Sequence, residues 1–160
     1  MRSAYAEGLR LLARRELSEA QLRERLVRKA FEPPEVDEAL ARLQRAGALD
    51  DHRVALAAAR TEALVKHRGR LRIERHLAAM GIAADLAAGA VDEVFNGIDE
   101  PVLLDRALAR RLRGPRARIE DAAHFRRLHQ YLIRQGFPPA AVTALLKRRS
   151  RTGAAPDGEE

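Results

Sequence analysis

Leu22-Arg23-Glu24-Arg25-Leu26-Val27-Arg28-Lys29-Ala30-Phe31 decides the fold, because its skeleton occurs three times in the chain. Leu22-xxx-Leu26-xxxx-Phe31 returns as Ile73-xxx-Leu77-xxxx-Ile82 and again as Leu128-xxx-Leu132-xxxx-Phe137. Nine positions after each last member stand Leu40, Val91 and Leu146. Phe31 and Ile82 lie 51 positions apart, and Ile82 and Phe137 lie 55 apart. Apolar residues four apart share one face of a helix. The same gaps recurring at a period near 50 predict tandem units of three helices each. The expected fold class is therefore all-α, with three tandem three-helix repeats forming an elongated curved array. The expected boundaries are 1–49, 50–97 and 98–150, followed by a tail, 151–160, rich in Gly, Ala, Pro and acid and predicted to be disordered.

Local signals divide each unit. Tyr5, Gly8, Leu9 and Leu12 fall on one face of a first helix. Ser18 followed by Gln21 is a capping box and starts a second, with Leu22 and Leu26 as its apolar stripe. Pro33-Pro34 starts a third, because proline suits the first helical turn, and Val36, Leu40 and Leu43 form its buried side. Gly47 stops it, and Asp50-Asp51 caps a fourth helix running to about Lys66. Gly69 marks a turn. Helices are then predicted from about Arg70 to Met80, Ala84 to Phe95, Asp99-Glu100-Pro101 to near Arg113, Arg118 to Gln135, and Pro138-Pro139 to near Arg149. Nowhere do Val, Ile and Thr alternate as a strand requires.

Apolar residues make up 46% of the 160 positions, enough to build a core. Most are Ala and Leu, which with Arg and Glu are good helix formers. There is no Cys, which excludes disulfides and thiolate metal sites. No apolar run approaches the roughly 20 residues needed to span a bilayer. The expectation is a soluble, cytoplasmic protein with no membrane association.

The formal net charge is +7, carried almost entirely by Arg, and it is clustered. Lys66, Arg68, Arg70, Arg72 and Arg75 stand against the single acid Glu74. Arg106, Arg110, Arg111, Arg113, Arg116 and Arg118 follow with no acid among them. Between the clusters, Ile82 to Asp105 holds six acids and neither Lys nor Arg. A solvated helix face is the ordinary explanation of any single arginine. For the clusters together we favour a bipartite basic surface that touches nucleic acid or an acidic protein groove, because both flank helix junctions and Arg grips phosphate or carboxylate with two hydrogen bonds. Few aromatics are interleaved, so stacking on single-stranded bases is not indicated.

Catalytic signatures are missing. His52, His67, His76, His124 and His129 show no metal-ligand spacing, no phosphate-binding glycine motif is present, and Ser18 and Asp50-Asp51 are explained by capping. The chain is expected to bind a partner, not to catalyse a reaction, and to need no cofactor or metal.

Several segments resemble the RecX family of regulators of the RecA recombinase. They are Leu11-Leu12-Ala13-Arg14-Arg15-Glu16-x-Ser18-xxx-Leu22, Gly47-Ala48-Leu49-Asp50-Asp51-His52-Arg53, Gly69-xx-Arg72-Ile73, Leu77-xxx-Gly81-Ile82 and Tyr131-Leu132-xx-Gln135-Gly136-Phe137. Their order and spacing cover about Tyr5 to Arg149. The resemblance implies three three-helix repeats, binding in the groove of the RecA–DNA filament, and inhibition of RecA by limiting filament growth. The implied partners are the RecA filament and DNA, met directly or through the filament, and the implied state is a monomer. The chain departs from the family's pattern at Val54, where Phe is usual, at His76, often Glu, and at Arg70, commonly Pro. Val54 is expected to weaken packing and Arg70 to add charge at the contact turn. The alternative is a general DNA-binding helical protein.

Overall fold

The computed structural model describes residues 3–113 and 118–152 of the chain. Among these residues every regular element is helical. The elements are α1 (Ala4–Leu12), α2 (Glu19–Arg28), α3 (Pro33–Arg45), α4 (Asp51–Arg60), a π-helical turn (Thr61–Val65), α5 (Arg70–Ala79), α6 (Ala84–Phe95), α7 (Glu100–Leu112), α8 (Ala122–Arg134) and α9 (Pro139–Thr152). The chain forms two compact units, one from Met1–Ala59 with Glu74–Val94, the other from Arg60–Ile73 with Phe95–Glu160. The expected tail beyond Thr152 lies outside the described residues.

The recurring skeleton is the buried skeleton. Leu22, Leu26, Ile73, Leu77, Ile82, Leu128, Leu132 and Phe137 are all buried, as are Leu40, Val91 and Leu146 nine positions on. Phe31 is partly buried against the first core. The gap of four has a backbone cause. The Phe31 N–H donates to the Leu26 carbonyl at 3.3 Å, Ile82 to Leu77 at 3.1 Å, and Phe137 to Leu132 at 3.3 Å. Each bond closes a helix end across a left-handed residue, the terminator in which apolar residues commonly stand at the two ends. The left-handed residues are Ala30 (φ 62°), Gly81 (φ 77°) and Gly136 (φ 94°). The signature is thus a helix stripe joined to its own terminator.

In the first unit, Leu11, Leu17, Leu22, Leu26, Val36, Leu40, Leu43 and Leu49 form one core, with α1 packed chiefly on α3. Of the predicted face of α1, Tyr5, Gly8 and Leu12 do meet the core, and Leu9 is the correction. Ala4, Glu7, Gly8 and Leu11 are buried, while Leu9 is 40% exposed. Two effects rotate the stripe. A Cβ on Gly8 would sit 2.7 Å from Leu43 Cδ1, so a small residue must face α3. Glu7 enters because Arg10 (2.6 Å) and Lys29 (3.1 Å) meet its carboxylate, and the Arg10 hydrogen bond foremost holds its pKa down at about 2.

Capping follows the sequence with two refinements. Ser18 makes both halves of its capping box with Gln21. Asp50 caps α4 through the Arg53 N–H (3.1 Å), but Asp51 accepts from the Glu19 N–H (2.8 Å) and so serves the start of α2. Helix α8 begins at Ala122 and not at Arg118, because Asp121 caps it by accepting from the His124 N–H at 2.6 Å. α9 continues past Arg149 to Thr152.

The two units share a junction chemistry. In the first, the Ser18 hydroxyl donates to the Met80 carbonyl at 2.5 Å, and Gly81 lies against Ala20. In the second, the Gly69 N–H donates to the Gln135 carbonyl at 2.8 Å, and Gly136 lies against Gly69 and Arg72. In both, the end of one signature helix rests on the start of the preceding one.

Candidate functional site

The second unit holds the second basic segment and, of the first, Lys66, Arg68, Arg70 and Arg72. The fourth helix of the sequence does not run as one α-helix to Lys66; it widens into the π turn at Thr61–Val65. There the Lys66 N–H donates to the Thr61 carbonyl (3.2 Å) and the Arg68 N–H to the Glu62 carbonyl (3.0 Å). Glu62 is buried, and its carboxylate accepts from Lys66 Nζ at 2.6 Å and from Arg68. A buried carboxylate is tolerable only when paired in this way. Leu64 and Val65 face outward beside it, 56% and 65% exposed.

Helix α7 supplies the other side. Asp99 caps it by accepting from the Val102 N–H at 3.1 Å, and Pro101 sits in its first turn. Val102, Arg106 and Arg110 follow at four-residue intervals and share one face. Arg110 reaches the Val65 carbonyl at 3.1 Å, tying α7 to the π turn. His67, in a left-handed conformation (φ 52°), is close enough to both arginines to feel them. Burial, then Arg110 and Arg106, push its imidazole below the ordinary histidine value. Its Nδ1 is buried with no hydrogen-bond partner.

The candidate residues differ in how much charge they present. Lys66 and Arg68 are met by Glu62. Arg70 pairs with Glu100 at 2.8 Å and stacks over the Phe95 ring at 4.6 Å, so its charge is engaged inside the unit and not added to an open turn. Arg72 donates to the Arg134 carbonyl at 3.3 Å, at the end of α8. Arg111 lies over the Tyr131 ring at 5.3 Å. Arg113 ends α7 in a left-handed conformation, and it is exposed, as are Arg106, Arg110, Arg111 and Arg118. Arg75 belongs to the first unit and is exposed. Arg116 lies outside the described residues. Val54 is buried in the first unit, where the smaller side chain leaves it 4% exposed.

Sequence reasoning passed over Glu62, His67 and the outward Leu64, Val65 and Val102. The signal for Leu64 was available, because at helical spacing it falls opposite the Val54, Ala55, Ala59 face of the preceding helix, whereas Val65 falls near Val54 and gave none. Glu62 was legible too: it follows Ala55 by seven positions and Ala59 by three, which places it on the buried face, where an acid needs partners. Among the described residues no group of His, Cys, Asp or Glu is placed to hold a metal ion, and no helix is long and apolar enough to cross a membrane. His129 meets Thr143 at 3.1 Å and His124 Nδ1 accepts from the Glu120 N–H at 3.3 Å, both ordinary local contacts.

Residues 4–43 match the family model described as RecX, first three-helix domain. The chain is 28% identical over 154 residues to a protein named Regulatory protein RecX from Pelodictyon phaeoclathratiforme, covering 96% of this chain and 93% of that protein. It is 31% identical over 139 residues to a Regulatory protein RecX from Syntrophotalea carbinolica, covering 87% of this chain and 91% of that one. A crystal structure of regulatory protein RecX has a similar fold, with a TM-score of 0.73 at 23% identity over 91% of this chain and 70% of its own.

Proposed function

The chain belongs to the RecX family of regulatory proteins, and we propose that it inhibits the RecA recombinase by binding in the groove of the RecA–DNA filament and limiting filament growth. The observation that carries this reading is the bond of Arg110 to the Val65 carbonyl, which sets the second basic segment beside Lys66, the start of the first. It leaves Arg106, Arg110, Arg111, Arg113 and Arg118 exposed toward a polyanionic or acidic partner. Arg116 completes that segment in the sequence. Lys66, Arg68, Arg70 and Arg72 form the other side of the contact proposed for the second unit, and Arg75 is proposed as a contact residue of the first unit. We read the binding modules as the repeats 1–49, 50–97 and 98–150, acting as a monomer.

The test is titration into RecA-coated single-stranded DNA, following ATP hydrolysis and strand exchange. Both should fall at substoichiometric protein, and titration that leaves both untouched sinks the proposal. A second reading, general DNA binding, is favoured by the exposed arginines of α7. It requires equal affinity for DNA without RecA and a steep loss with salt, because each neutralised phosphate releases counterions. Substituting Arg110 and Arg111 should then weaken binding to all DNA sequences alike. Retained RecA inhibition in that variant would instead place the contact on protein.

A further inference from the structure

The face that carries Arg106 and Arg110 is not only basic. Leu64, Ile98, Val102, Leu103, Asp99 and Arg106 line an open cleft of about 210 Å³ between the π turn and the start of α7. Leu64 is 56% exposed and Val102 44%, and Val65, beside them, is 65% exposed. Large aliphatic side chains gathered in one cleft and left in water cost about 25 cal/mol per Å² of their apolar surface. Such a patch with a polar rim marks an interaction site.

The rim has one sign. Asp99 is the acid in the cleft, and its carboxylate is occupied by capping α7 through the Val102 N–H. Lys66, on the far side, is already met by Glu62. Arg106 and Arg110 stand one and two turns beyond Val102 on the same face of α7, with no acidic partner among the described residues. Arg110 is also held in place by its bond to the Val65 carbonyl, which lowers the ordering cost of a further contact.

We propose that this cleft docks an acidic segment of a partner protein, one that buries an aliphatic side chain between Leu64 and Val102 and sets carboxylates against Arg106 and Arg110. A phosphate backbone satisfies the arginines but offers nothing to cover the leucine and valines. An acidic protein segment satisfies both. The proposal rests on the filament reading above and divides it: this face meets the protein of the filament and not its DNA.

The experiment compares the full chain with its Leu64→Ala/Val102→Ala variant, binding RecA assembled on a labelled oligo-dT strand and binding the same strand bare. Affinity for the RecA-coated strand should fall about tenfold, the order expected when two half-exposed aliphatic side chains lose their burial. Affinity for the bare strand should stay within about twofold. Both positions are half exposed, so the core is untouched. Leu64→Lys provides an independent check and should give the same split. Unchanged binding to the coated strand overturns this assignment while leaving the filament reading standing. Equal loss on both strands assigns the face to DNA and also overturns it. A wild-type chain that ignores RecA overturns the filament reading and the partner together.

Discussion

Ala30, Gly81 and Gly136 occupy one position of the repeat, yet substitution at the three should act with opposite signs. All three adopt positive φ at the end of a signature helix. A non-glycine residue there carries a cost of about 1–2 kcal/mol. Ala30→Gly relieves it and gives back about 0.4–1 kcal/mol through the freer unfolded chain. Ala30 is exposed, so no contact is lost. The net expectation is a gain of about 0.5 kcal/mol, or about 2 °C in Tm. Gly81→Ala meets the reverse. It adds the left-handed cost and sets a Cβ 2.3 Å from the Ala20 Cβ, so a loss of about 3 kcal/mol is expected. Gly136→Ala should lose at least as much, because its Cβ would lie 2.3 Å from the Arg72 backbone N and 2.8 Å from the Gly69 carbonyl oxygen. Neither obstacle is a side chain that can swing away. Urea unfolding followed by circular dichroism measures all three, with the slope checked for constancy. Ala30 and Gly81 lie in the first unit and Gly136 in the second, so their effects separate if the units unfold in separate steps. A destabilised Ala30→Gly, or a Gly81→Ala chain within about 1 kcal/mol of wild type, refutes the reasoning.

Three further outcomes follow from buried polar groups. Glu62→Ala should cost about 2–3 kcal/mol in urea midpoint, toward the low end for a broken buried pair because the Lys66 side chain is 45% exposed and can turn to water. Ser18→Ala should lose about 2 kcal/mol, one part from the helix cap and one from the buried bond to the Met80 carbonyl. His67 is held neutral by burial and by its neighbouring arginines, so its folded pKa lies below the unfolded value of about 6.5. Its contribution is full above that value and fades as pH falls through it toward the folded pKa. His67→Asn, which keeps a residue tolerant of positive φ, should flatten the stability curve on that side; an unchanged curve contradicts the assignment.

What the sequence determined by itself is the part of the structure set by neighbours in the chain. The Ser18–Gln21 box, the proline starts at Pro33 and Pro101, and the ends at Gly81 and Gly136 are decided within one or two helical turns, where backbone geometry leaves few choices. The repeat was legible for the same reason: its gap of four is the span of one helix terminator. The family resemblance was legible because those terminators and caps keep their order along the chain. Tertiary structure decided the rest. Which face of α1 turns inward depends on how closely Gly8 can approach Leu43, 35 positions away. How much charge each arginine presents depends on distant or hidden partners. Arg70 is engaged by Glu100, 30 positions on, and the buried Glu62 takes up Lys66 and Arg68 where the π turn ends. Charge spacing marks where cations are dense. Folding brings the acids that neutralise some of them and leaves Arg106 and Arg110 beside an uncovered aliphatic cleft.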